Sequence, residues 1–190
     1  MEGRKVSETL NIQTELIMPA HTNPIGNLMG GHLLSWMDVC AGISAIKHSG
    51  GISVTASLDN VSFNLPIKMG NIVVLKSFVT RAFNTSMEVI CEVFIKNIKT
   101  QEEVKSHEAF FSFVSLDFSN TTPIKVMPVI PETEREIELY EDALHRRELR
   151  LINAGKMQAK DSVYLRREFF SDDEDRKSTR LNSSHSSPSR

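Results

Sequence analysis

The segment from Met29 to His48 restricts the fold of this chain more than any other. It contains no proline, and its apolar residues fall on nearly every side of a helix: they are Leu33, Leu34, Trp36, Met37, Val39, Ile43 and Ile46. A helix that is apolar all round is stable only when other elements cover it. In a chain of 190 residues, which suits one core rather than two, we therefore predict a single domain built around this helix.

Five segments have the pattern of β-strands. Thr9 to Met18 alternates apolar and polar residues, as a strand with one buried face does. Four more segments follow the helix and are rich in Val, Ile, Phe and Thr: 52–63, 72–83, 86–97 and 104–117. Short turns such as Asn84-Thr85 favour antiparallel pairing, and a change of apolar face near Asp59-Asn60 predicts a bulge. We predict an α+β fold, in which a curved antiparallel five-stranded sheet wraps around one long buried helix and leaves an edge free for a second copy.

The remaining segments divide the chain further. We expect an N-terminal tail at 1–8, the main domain at 9–118 and a proline-containing linker at 119–131. Residues 132–160 are predicted to form a C-terminal amphipathic helix, whose acidic first turn includes a capping-box pair at Thr133 and Glu136. Residues 161–190 are predicted to be disordered, and roughly the last 14 resemble translated sequencing-adapter sequence.

Composition excludes several classes of function. A net charge of −2 and a pI near 6.3 provide no general attraction to nucleic acid or to an anionic membrane. The chain has no apolar run long enough for membrane insertion and no leader-like N-terminus, so we predict a cytoplasmic protein. Its histidines lack the spacing of a metal site, and its two cysteines, each in an apolar segment, are expected to be free buried thiols.

The loop that leads into the buried helix carries the first candidate site. It ends in Gly30 and Gly31, which would let a ligand approach the free N–H groups of the first helical turn. Those groups suit an oxyanion or a polarised carbonyl. A glycine pair that merely permits a turn or close packing is an equally good interpretation of these two residues.

Asp38 is the second candidate, because it is a lone carboxylate in a helix predicted to be buried. It could act as a general base for water, or accept structural hydrogen bonds from loop N–H groups. Gly31 and Asp38 lie two turns apart, about 10 Å along the axis, so they can serve one reaction only across a two-fold interface between copies. Asn23, in the preceding loop, could donate to a carbonyl or orient a water, or simply form a turn before Pro24.

These residues resemble the hotdog-fold acyl-CoA thioesterases, both the single-domain bacterial type and the tandem-domain animal type. The resemblance runs from about Leu10 to Asp117 and through 129–134. It is carried by Asn23, Gly26, Gly30-Gly31 and Asp38, then by the runs 54–57, 83–89 and Phe113-Val114.

The resemblance implies an enzyme that hydrolyses acyl-coenzyme A to a fatty acid and coenzyme A. Asp38 would activate the water, Asn23 of the facing subunit would position the water or thioester, and Gly30 and Gly31 would polarise the carbonyl. It further implies a coenzyme A channel, with Arg81 as a weaker candidate for a phosphate contact. The channel residues would be Val54, Thr55, Ala56, Ser57, Asn84, Thr85 and Ser86. No cofactor is implied, since coenzyme A is part of the substrate, and the expected assembly is a homodimer within a hexameric trimer of dimers.

Two alternatives remain open. One is a hotdog dehydratase or hydratase that acts on acyl thioesters, an activity that usually pairs a histidine with a carboxylate. The other is a protein that binds acyl-CoA without catalysis. Loss of turnover on replacing His21 or His32, with Asn23→Ala still active, would favour the first.

Overall fold

Helix α2 (Gly30–Ser49) contacts all five strands of one antiparallel sheet. This arrangement is seen in a computed structural model of the chain, which describes residues 2–119 and 121–165. The strands are β2 (Asn11–Leu16), β3 (Ile52–Phe63), β4 (Ile72–Ala82), β5 (Ser86–Lys96) and β6 (Glu103–Leu116). Their order in the sheet is β2-β4-β5-β6-β3. The predicted fold class is confirmed.

Strand β3 lies at one edge of the sheet and is irregular. Among residues 2–119 and 121–165 it pairs with β6 alone, and its register shifts between Thr55 and Ser57 and again between Asp59 and Ser62. The predicted bulge near Asp59-Asn60 is therefore confirmed. Bulges bend a strand and increase its twist, which helps this edge to curve over the helix.

Only one face of α2 is buried. Its buried residues recur every three or four positions and comprise Leu33, Met37, Cys40, Ala41, Ser44, Ala45 and His48, which pack on core residues of the sheet such as Val89, Phe111 and Phe113. The opposite face exposes Val39, Ile43 and Ile46. The expectation that this chain covers the helix on nearly every side was wrong, because the sheet reaches around only part of it.

A polar cluster lies between α2 and β4 within this core. Ser77 Oγ donates to the carbonyl of Cys40 at 2.8 Å, and it lies 2.7 Å from Ser44 Oγ and 3.2 Å from Cys40 Sγ. All three side chains are fully buried. Both cysteines of the chain are buried free thiols, as predicted.

The N-terminal segment and the proline-containing linker pair with each other. Strand β1 (Arg4–Lys5) runs parallel to β7 (Val129–Ile130), and the short helix α1 (Val6–Thr9) follows β1. Thr9 Oγ1 donates to the carbonyl of Val6 at 2.8 Å and accepts from the N–H of Val79 at 3.0 Å. These contacts attach the start of the chain to β4.

Helix α3 (Glu134–Asn153) begins with the predicted capping box. Glu136 Oε2 accepts from the N–H of Thr133 at 3.1 Å, while Thr133 Oγ1 accepts from the N–H of Glu136 at 3.3 Å. Residues up to Tyr140 belong to the same compact unit as the sheet, and Glu141 begins a second unit. In that second unit, Glu148 accepts from Ser162 Oγ at 2.6 Å. Of the segment predicted to be disordered, residues 161–165 are described and include the buried Ser162, whereas residues from 166 onward lie outside the described residues.

None of the helices within 2–119 and 121–165 combines the length and apolar character that crossing a membrane would require.

Candidate active site

Gly30 and Gly31 form an open first turn of α2. Met29 precedes the helix without a side-chain cap among the described residues, and the first intrahelical hydrogen bond runs from Leu33 N–H to Met29 O at 3.2 Å. A Cβ added at Gly31 would meet no atom within 4 Å. Close packing within the chain therefore does not explain this glycine, and the free N–H groups of the turn are accessible to a ligand.

Asn23 is held by its own loop. Its Oδ1 accepts hydrogen bonds from the N–H groups of Ile25 at 3.2 Å and Asn27 at 3.0 Å, and its own N–H donates to the carbonyl of Asn27 at 2.8 Å. Because Oδ1 serves the turn, the side chain offers its Nδ2 donors to a ligand. The turn interpretation and the donor interpretation are therefore compatible.

Asp38 is half-buried on α2 and is held by a hydroxyl group. Thr55 Oγ1, on the edge strand β3, donates to Asp38 Oδ1 at 2.7 Å. In the described part of the chain, the carboxylate therefore has this hydroxyl as its partner. The alternative interpretation had expected a set of loop N–H groups instead. Such a bond orients Asp38 while leaving its second oxygen as an acceptor.

A cavity of about 320 Å³ opens beside Asn23 and Gly30. Its walls come from the loop before α2, from the connection between β3 and β4 at residues 64–67, and from Leu33 and His107. Asp38 does not line it. The structure thus brings Asn23 and Gly30 to one cavity. It keeps Asp38 further along the same helix, about 12 Å from Gly30 along the axis.

His107 was missed as a site residue by the sequence analysis, which considered it only for metal spacing. It lies on β6, is 5% exposed, and desolvation by burial lowers its pKa. Its neighbours on the same face of the strand, Ala109 and Phe111, belong to the core. A histidine in an otherwise apolar row of a strand was the signal that could have identified it.

The two groups of predicted coenzyme A residues lie at the same end of the sheet. Ser86 pairs with Val114, and Val114 pairs with Val54, so one strand separates the groups, about 10 Å across. Val54, Thr55 and Ala56 are exposed on the free edge, and Ser57 Oγ donates to Asp59 at 3.3 Å. Asn84 and Thr85 form the turn between β4 and β5.

Arg81, the weaker candidate for a phosphate contact, binds Tyr140. Its Nη1 donates to the carbonyl of Tyr140 at 3.0 Å, and its guanidinium lies 4.2 Å from the centre of the tyrosine ring. These contacts engage part of the guanidinium with α3.

Two further histidines lie together near the start of α2. His21 and His32 have ring centres 5.5 Å apart, and the Trp36 ring lies 5.0 Å from that of His21. Within residues 2–119 and 121–165, no group of three or more His, Cys, Asp or Glu side chains is placed to hold a metal ion.

Comparisons with known sequences identify relatives of the chain. A family model described as the thioesterase superfamily matches residues 25–102. An uncharacterized acyl-CoA thioester hydrolase of Bacillus subtilis, YkhA, is 40% identical over 145 residues, which are 76% of this chain and 84% of that protein. Acyl-coenzyme A thioesterase 11 of Mus musculus is 36% identical over 80% of this chain, which spans only 26% of that longer protein.

Solved structures agree with the fold. An acyl-CoA hydrolase of Staphylococcus aureus, in complex with butyryl-coenzyme A, coenzyme A and coenzyme A disulfide, has a TM-score of 0.76 and 32% identity, covering 82% of this chain and 96% of that chain. A hexameric acyl-CoA thioesterase without ligand has a TM-score of 0.77 and 38% identity, covering 81% of this chain and 98% of that chain.

Three further structures of the S. aureus hydrolase carry alanine in place of an asparagine, an aspartate and a threonine. Along that chain the asparagine and aspartate lie 15 residues apart, and the aspartate and threonine 17. Asn23, Asp38 and Thr55 have the same separations of 15 and 17 residues. By sequence and by fold, this chain belongs to the acyl-CoA thioester hydrolase family of the thioesterase superfamily.

Proposed function

We propose that this protein is an acyl-CoA thioesterase, which hydrolyses acyl-coenzyme A to a carboxylic acid and free coenzyme A. The observation that carries the proposal is the Asp38–Thr55 hydrogen bond of 2.7 Å. It presents an oriented carboxylate on the same helix whose open Gly30-Gly31 turn can polarise a carbonyl. The matching separations of the residues replaced in the S. aureus hydrolase support the same set.

The active site is formed between two copies of the chain. A general base must reach its water within about 3 Å, whereas Asp38 and Gly31 of one chain are about 10 Å apart. The free β3 edge and the exposed apolar side chains of Val39, Ile43 and Val54 provide a surface for a second copy. An antiparallel approach of two α2 helices would bring Asp38 of one copy to the Gly31 turn of the other.

The reaction follows from these roles. The Gly30 and Gly31 N–H groups, with the Asn23 amide as a further donor, bind the thioester oxygen and stabilise the negative charge that develops on it. Asp38 accepts a proton from water as the water oxygen attacks the carbonyl carbon. The carbon–sulfur bond then breaks, and the leaving thiolate recovers the proton from Asp38. The products are the carboxylic acid and coenzyme A, and the carboxylate of Asp38 is restored.

The remaining parts of the proposal concern substrate and assembly. Residues 54–57 and 84–86 would line the channel for the coenzyme A moiety, and no cofactor beyond that moiety is proposed. The proposed assembly is a hexamer made of three such dimers, for which light scattering would measure six chain masses. We also propose a cytoplasmic location, which cell fractionation tests.

A subunit-mixing experiment tests the shared active site. Release of free coenzyme A from butyryl-coenzyme A would be measured for wild type, Asp38→Asn and Asn23→Ala. Each variant alone should lose about 10²–10⁴-fold in kcat. Refolded together in equal amounts, they form hybrid dimers with one intact site, so activity should return to roughly a quarter of that of wild type.

The control is a mixture of Asp38→Asn with Thr55→Val. Both substitutions affect the part of the shared site that contains Asp38, so no hybrid dimer has an intact site. This mixture should therefore recover nothing beyond the activity of Thr55→Val itself. Full activity of Asp38→Asn alone would refute the mechanism. Equal activity of the mixed and unmixed Asp38→Asn and Asn23→Ala proteins would show that the site lies within one chain.

The rival enzymatic activity depends on histidine. His21 and His32 contact Trp36 and each other, whereas the partner of Asp38 is Thr55. A hydratase would add water to an enoyl-CoA and release no coenzyme A. Loss of the enoyl absorbance without thiol release would favour that activity, and acyl-CoA binding without either signal would favour a binding protein.

A further inference from the structure

We propose that the cavity beside Asn23 and Gly30 holds the acyl group and that His107 determines which acyl chains fit. This inference rests on the thioesterase activity proposed above and identifies its specificity-determining residue. In a thioester, the acyl chain begins at the carbonyl carbon. A carbonyl bound at the Gly30-Gly31 turn therefore directs its chain into space adjoining that turn, and the cavity is lined by Gly30 itself.

The size of the cavity suits an acyl chain. Its volume of about 320 Å³ lies at the lower end of the roughly 300–1,000 Å³ found for ligand pockets. Leu33 and Ile67, 2% and 3% exposed, provide buried apolar walls. The nucleotide end of coenzyme A is charged and would not be stable against such walls.

His107 is the most buried polar side chain in the walls of the cavity. The other polar side chains in its walls, Asn23, Asn27 and Asn64, are half-buried or exposed, whereas His107 is 5% exposed. Desolvation by burial lowers the pKa of His107, so the imidazole is neutral near pH 7, with one donor and one acceptor nitrogen. A chain that fills the cavity would therefore meet one buried polar ring in an otherwise apolar part of the wall.

This position gives His107 two effects on specificity. Its ring occupies volume that a longer chain would need, and additional methylenes gain less free energy against a polar imidazole than against an apolar wall. Short acyl chains are therefore favoured over long ones. Removing the ring should extend the apolar cavity and relieve both effects.

The test compares kcat/KM for octanoyl-coenzyme A and butyryl-coenzyme A. His107→Ala should raise the octanoyl-to-butyryl ratio roughly tenfold or more, the size of effect produced by a change of one or two methylenes in a pocket. His107→Gln keeps a polar side chain and should change the ratio much less. Ser106→Ala is the matched control, because Ser106 is buried next to His107 on β6 and its hydroxyl bonds the carbonyl of Val93.

A binding measurement covers the case in which His107→Ala does not fold. In wild type with isotope-labelled histidine, the His107 ring signal, assigned with His107→Gln, should shift on adding the thioether butyl-coenzyme A and remain in place with coenzyme A alone. An unchanged ratio in folded His107→Ala, or the same ring signal with both ligands, would overturn the inference. If wild type released coenzyme A from no thioester, the proposed activity itself would fail, and the ring signal would still report whether the cavity takes the chain.

Discussion

At the scale of the single residue, Gly31 occupies the start of α2 with open space where a side chain would be. Alanine there should leave the free energy of unfolding unchanged or raise it by up to ~1 kcal/mol, because alanine favours the helix. Its methyl group would, however, obstruct the approach of a thioester to the N–H groups. We expect kcat/KM to fall roughly ten- to hundredfold. Deleting an oxyanion donor outright lowers kcat by ~10²–10³-fold, so obstructing the donors should cost no more than that.

Gly50 is the control for this prediction. It ends α2 with φ of 69°, a left-handed conformation that costs other residues about 1–2 kcal/mol. Gly50→Ala should therefore lower stability in urea unfolding while leaving kcat/KM close to that of wild type. If Gly31→Ala retained full activity, a ligand would not approach this turn.

At the scale of the element, the attachment of α2 to β4 depends on buried hydroxyl groups as well as on apolar packing. Ser77→Ala removes the donor to the carbonyl of Cys40 and a neighbour of Ser44. We expect a loss of about 0.5–1.5 kcal/mol, the usual net contribution of one buried hydrogen bond. Urea unfolding at one fixed protein concentration measures it, and concentration must be fixed because assembly contributes to stability.

Ser119→Ala supplies the comparison, since that serine is exposed in a loop and its replacement should change stability by less than about 0.5 kcal/mol. Ser44→Ala combined with Ser77→Ala should cost less than the sum of the two single changes, because the residues share one hydrogen-bonded cluster. Additive costs would show that the cluster does not act as a unit.

At the scale of the whole molecule, two buried histidines should make stability depend on pH. Desolvation by burial lowers the pKa of His48, although its hydrogen bond of 2.8 Å to the Met127 carbonyl opposes the shift. Burial likewise lowers the pKa of His107. The unfolded chain therefore binds protons first as pH falls below about 6.5, and stability decreases by up to ~1.4 kcal/mol per pH unit for each histidine.

Urea midpoints between pH 8 and pH 5 would measure this dependence. His48→Gln should reduce the slope of the free energy of unfolding against pH below pH 6.5 and leave that slope unchanged above pH 6.5. The carboxyl groups of Glu92 and Glu148 should not contribute in this range. Burial alone would raise their pKa values, but hydrogen bonds lower them, so their stabilising effect is lost only below about pH 4.5. An identical slope in His48→Gln would show that His48 titrates as it does in the unfolded chain.

Local sequence patterns determined the elements of this protein. The helix predicted at 29–48 is observed at 30–49, the bulge in β3 was predicted from a change of apolar face, and the capping box of α3 was predicted from Thr133 and Glu136. Each of these depends on a spacing of two to four residues, which the chain itself encodes. The separation of Gly31 and Asp38 by two turns of one helix also follows from the helical period.

Contacts between distant residues were decided by the tertiary structure. Three features join segments far apart in sequence: the hydrogen bond from Thr55 to Asp38, the cavity lined by both His107 and Asn23, and the pairing of β1 with β7. Periodicity specifies which face of a strand is apolar, but not which strand lies beside which or in what register. The order β2-β4-β5-β6-β3 places the edge strand against the carboxylate and β6 against the cavity, and this order results from packing the whole sheet around α2.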